Sequence, residues 1–90
     1  MMWYFVLGDF RTSPNRPPTS KVLRHFEDEE EAWEFYEWMK GFSLLPVDER
    51  LELWDEEPQI LEYPIPELVY DLSAVFLVKG RELEYQEGKW

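Results

Sequence analysis

The amino-acid sequence predicts an α+β fold: an antiparallel sheet of about five or six strands with one main helix, residues 28–40, packed on one of its faces. Three observations carry this expectation. Two continuous apolar runs, Met2–Leu7 and Leu72–Val78, have the pattern of strands buried on both faces. Asp28–Lys40 has helical periodicity with start and stop signals. Prolines, glycines and acidic clusters cut the remainder into short segments with strand-like alternation. A chain of 90 residues fits one domain, 1–90, and its five Trp, five Tyr and six Phe supply the bulk for one core.

In chain order, Met2–Leu7 is read as a central strand ended by Gly8-Asp9. Residues 11–21 hold three prolines and no apolar side chain, which predicts a flexible basic loop. Val22–Phe26 follows as a short strand able to pair with the first. In the helix, Asp28 is the N-cap and Glu31 the third helical residue of a capping box, and Gly41 is read as the C-terminal stop. At 100° per residue Ala32, Phe35, Tyr36 and Met39 share the core face, Trp33 and Trp38 flank it, and Glu27, Glu30, Glu34 and Glu37 line the opposite side.

Arg50–Trp54 and Gln59–Tyr63 are read as two strands around the turn Asp55–Pro58. The competing reading makes the first of them helical, because Val47, Leu51 and Trp54 also fit one helical face. Leu72–Val78 is read as a second central strand, Lys79-Gly80 as a tight turn, and Arg81–Gln86 as an alternating final strand.

Charge and composition exclude several functions. The chain carries 20 acidic and 9 basic residues, a net charge of −11. Residues 1–26 set Arg11, Arg16, Lys21 and Arg24 against Asp9, whereas residues 27–90 hold 19 acids against five bases, a local −14. Such a surface repels nucleic acid and anionic membranes, so neither is expected as a direct ligand; a charged partner is expected to be a basic protein. The absence of cysteine removes thiolate nucleophiles, disulfides and cysteine metal sites. With no signal-peptide pattern in residues 1–9, a cytoplasmic location is expected.

No catalytic motif emerges. His25 is the only histidine and has no assignable orienting partner; no nucleophile elbow or phosphate-binding glycine loop is present. The acidic runs Asp28–Glu31 and Asp55–Glu57 lack the spacing of a calcium loop, and consecutive helical acids diverge, so no metal and no cofactor is expected.

The function expected from these residues is non-catalytic: an acidic protein-binding module, with Glu30, Glu34, Glu37, Trp33 and Trp38 as the contact residues. Tryptophan is a favoured binding anchor. In its sharpest form the module is an inhibitor whose carboxylates mimic nucleic-acid phosphates and occupy the basic surface of a nucleic-acid-binding protein. Small virus-encoded inhibitors of host defence often share this composition, although no motif assigns the chain to such a group. The alternatives are a structural or accessory subunit, including a homodimer, and a small carboxylate- or Mg-dependent enzyme drawing on Asp9, Glu67 and Asp71.

Overall fold

In the computed structural model, β1 (Met2–Phe10) is the central strand of a three-stranded antiparallel sheet of order β2-β1-β3. β2 is Thr19–Phe26 and β3 is Leu72–Arg81; between them lie α1 (Glu29–Ser43), α2 (Val47–Glu56) and the single-turn α3 (Leu68–Asp71). The structure describes residues 2–11, 15 and 19–81. The α+β class stands, but the described residues form three strands where the sequence suggests five or six.

The apolar run in β1 is buried on both faces for the reason its composition implies. Val6 and Phe10 join Leu23, Phe26, Leu72 and Val75 beneath α1, while Phe5 and Leu7 pack with Val22, Trp3 and Val78 on the reverse. Gly8 does not end the strand. A Cβ there would come within 2.8 Å of the Leu72 side chain and 3.2 Å of Phe10, so glycine at this position admits close packing. The strand continues to Phe10.

Two register shifts shape the sheet. Val6 pairs with Arg24 and Leu7 with Val22, leaving Leu23 as the extra residue of a bulge; Asp9 pairs with Ala74 and Phe10 with Leu72, leaving Ser73 as another. The first bulge sends Val22 to the reverse face while Leu23 joins the core under α1.

α1 begins where the sequence places it. The Asp28 side chain accepts a hydrogen bond from the Glu31 amide at 3.0 Å, and Ala32, Phe35 and Met39 are buried. Its end differs from expectation. The helix passes through Gly41 to Ser43 because Phe42, fully buried, extends the apolar stripe by one turn. No atom lies within 4 Å of a Cβ built on Gly41.

The predicted strand Arg50–Trp54 lies inside α2, so the competing helical reading is the correct one. The face it turns inward is centred on Arg50, with Leu53 and Trp54 half-buried, while Val47 and Leu51 are exposed. The guanidinium donates to the carbonyls of Leu45 (2.8 Å), Ser43 (2.7 Å), Val69 (3.0 Å) and Leu72 (3.0 Å) and lies over the Phe42 ring. It thereby ties the C-terminal end of α1 to α2 and to the α3–β3 junction. Burial lowers its pKa, but an arginine stays cationic at any ordinary pH.

Gln59–Tyr63 is not a strand. Its backbone offers one bond to the sheet, from the Glu62 amide to the Leu23 carbonyl at 3.0 Å. Pro58, Pro64 and Pro66 around it have no N–H to extend a ladder. β3 runs through Lys79 and Gly80, which pair with Tyr4 and Trp3, so no turn forms there. Among the described residues β3 is an edge strand and not a central one. The predicted strand Arg81–Gln86 lies outside the described residues beyond Arg81, as does most of the predicted loop 11–21, of which Thr19–Lys21 belong to β2.

Candidate functional site

The solvent face of α1 brings together all five residues singled out by sequence. Glu30, Trp33, Glu34, Glu37 and Trp38 line one shallow, open depression. Helical spacing explains the arrangement, since residues three and four apart are neighbours on the surface. Glu30, Glu34 and Glu37 are exposed, as is Glu27 just before the helix, and none of the four forms an ion pair with a described residue.

The two tryptophans are held differently. Trp33 is 47% exposed and meets Tyr36 edge-on, with ring centroids 5.4 Å apart. Trp38 is half-buried, stacked on Phe42 at 5.5 Å and edge-on to Trp54 at 6.1 Å. Trp38 is thus a fixed wall continuous with the core, and Trp33 is an apolar surface open to solvent. Glu29, beside the depression in sequence, accepts a hydrogen bond from the Tyr4 hydroxyl at 3.2 Å. Partial burial, then the charge of Glu29 and this hydrogen bond, hold the Tyr4 pKa above its ordinary value.

α2 adds a second acidic surface that the sequence reading did not count among the contact residues: Asp48, Glu49, Glu52, Asp55 and Glu56 are all exposed. Two ion pairs occur among the described residues, Lys21–Glu67 and His25–Glu62. The negative charge of α1 and α2 is therefore not neutralised from within the described structure.

Of the residues of the enzyme alternative, Asp9 and Glu67 have carboxylates engaged in structural contacts, whereas Asp71 is held through its backbone. Asp9 accepts from the Ser20 hydroxyl at 2.5 Å, Glu67 is bound by Lys21, and the Asp71 carbonyl accepts from the Arg11 amide at 3.1 Å. The hydrogen bond from Lys21 is the main reason that the Glu67 pKa lies below the ordinary carboxylate value. His25 does have a carboxylate neighbour, Glu62, and lies between the rings of Trp3 (4.8 Å) and Phe5 (6.0 Å). That contact spans 37 positions of sequence and leaves no local signal. Among the described residues no three histidines or acids converge as metal ligands, and no helix is long and apolar enough to cross a membrane. The chain matches no known protein-family model, no curated protein and no solved structure.

Proposed function

We propose that this protein is a non-catalytic binding module whose α1 face docks on a basic surface of a protein partner. The observation that supports the reading most is the shared depression. Three carboxylates without ion-pair partners surround an exposed Trp33 and a core-anchored Trp38, and no basic side chain lines it. The carboxylates supply long-range attraction and the indoles supply short-range apolar contact. A nucleic-acid-binding protein is the partner class that best suits a face of closely spaced carboxylates.

The test is binding to the partner recovered by co-purification, measured as salt rises from about 0.1 M to about 1 M, over which the Debye length falls from about 10 Å to about 3 Å. The expected result is a steep loss of affinity with salt. Changing Glu30, Glu34 and Glu37 to lysine abolishes binding while the folded spectrum persists. Affinity that is flat with salt, or unchanged by the triple reversal, refutes the proposal.

A further inference from the structure

Next to the acidic depression lies a pocket of about 360 Å3 between β2 and α1, which shares Glu34 and Trp38 with it. Arg24 forms one wall, Glu31 and Glu34 another, and Gln59 completes the polar lining. In a molecule so poor in basic residues, a cation at the margin of the acidic face runs against the simplest electrostatic picture. A surface made only to attract positive charge would be improved by its removal.

The placement of Arg24 is specific. It pairs with Val6, on the side of the sheet that faces α1, and the bulge at Leu23 lies directly before it. Its guanidinium rests over Phe26 at 4.7 Å and over Phe35 at 5.8 Å. Cation–π contact and the covering of two core rings thus orient the group without a carboxylate. No ion pair or hydrogen bond joins it to a described residue, and Glu31 and Glu34 line the same pocket without closing on it. Opposite charges therefore face a common space, each with unused hydrogen-bonding capacity.

We propose that the pocket receives a partner segment in which a basic residue stands beside an acidic one. The basic side chain meets Glu31 and Glu34 and stacks on Trp38; the adjacent carboxylate takes the Arg24 guanidinium in a two-point hydrogen bond. This inference rests on the docking reading above and narrows it, from any basic surface to a peptide of mixed sign.

Two capped synthetic peptides of equal length test it. One carries three arginines spaced by serine; the other carries four arginines with one aspartate beside a central arginine, so net charge is the same. Binding is followed by amide chemical-shift titration at one fixed salt concentration. The expected result is about two- to fivefold tighter binding of the aspartate-bearing peptide, the range of one exposed ion pair, and loss of that preference in Arg24→Gln with retained binding of both. Equal affinities for the unaltered protein, or a preference that survives Arg24→Gln, overturn this inference alone. Failure of both peptides to bind overturns the docking reading and this inference with it. The comparison on the unaltered protein stands even if Arg24→Gln does not fold.

Discussion

Arg50 is the one charged side chain among the described residues that folding takes out of water. Four carbonyls receive its guanidinium, and two of them, from Ser43 and Leu45, lie at the C-terminal end of α1, where the helix dipole favours a cation. Arg50→Met keeps the length and removes every donor. We expect it to lower unfolding free energy by about 2–4 kcal/mol, since several buried acceptors are left unpaired. Arg50→Lys should lose most of the same amount, because one ammonium cannot fan out to four acceptors. Urea denaturation of the three proteins checks both. Two glycines give opposite signs. Gly41→Ala, on an open helical surface, should stabilise by about 0.5–1 kcal/mol. Gly8→Ala, pressed against Leu72, should destabilise by about 1–3 kcal/mol through overpacking. Glu67 sets a pH dependence. Its folded-state pKa is lowered, mainly by the Lys21 hydrogen bond, so the pair's contribution is present above the ordinary carboxylate range and disappears as pH falls through the lowered value. The stability gap between the natural protein and Glu67→Gln should be about 0.2–1 kcal/mol at neutral pH, as for a partly exposed, solvent-screened pair, and should close in acid. Relief of general acidic repulsion is common to both proteins and cancels in that difference. A gap that widens in acid contradicts the assignment.

At the scale of elements, α1 was legible because every signal agreed: a capping aspartate, acids in the first turn, and an apolar stripe at helical spacing. Its extra turn was not, since Gly41 is a local stop signal overridden by the burial of Phe42. α2 was misread for a related reason. The apolar positions that fit a helical face there include Val47 and Leu51, which stay exposed, and the most buried position is an arginine, so the alternation of Leu51 and Leu53 suggested a strand. The partners that make Arg50 tolerable come from α1, α3 and β3 and cannot be seen from the segment itself. The common placement of Glu30, Trp33, Glu34, Glu37 and Trp38 on one side of α1 was legible because it follows from one helical wheel, whereas Arg24 was placed only by the packing of β2 against α1. The acidic face of α1 also has a measurable cost. Glu30 complements the helix N-terminus, but Glu34 and Glu37 lie beyond the first turn, and like charges at these spacings repel by a few tenths of a kcal/mol per pair. Glu34→Lys should therefore leave thermal stability unchanged or raised by about 0.5 kcal/mol while weakening partner binding. A fall in both would mean that Glu34 serves the fold.

At the scale of the molecule, the described residues form a three-stranded sheet covered by α1 on one face and present two acidic helices to solvent. Each carries five acids and one base, so charge alone does not distinguish them as docking surfaces. What distinguishes α1 is the pair of tryptophans set among its carboxylates, with Trp33 exposed. In the proposed docking, net charge supplies the attraction to a basic partner and the indoles supply the place of contact. The accessory-subunit alternative, in which the same face is self-complementary, is tested by sedimentation over a range of concentrations: growth in apparent mass would favour it. The most direct test of the α1 docking face is an amide chemical-shift map of the isotope-labelled protein titrated with a spaced-arginine peptide. The account predicts shifts concentrated on residues 30–38, together with the side-chain N–H signals of Trp33 and Trp38; equal shifts across residues 48–56 of α2 would contradict it.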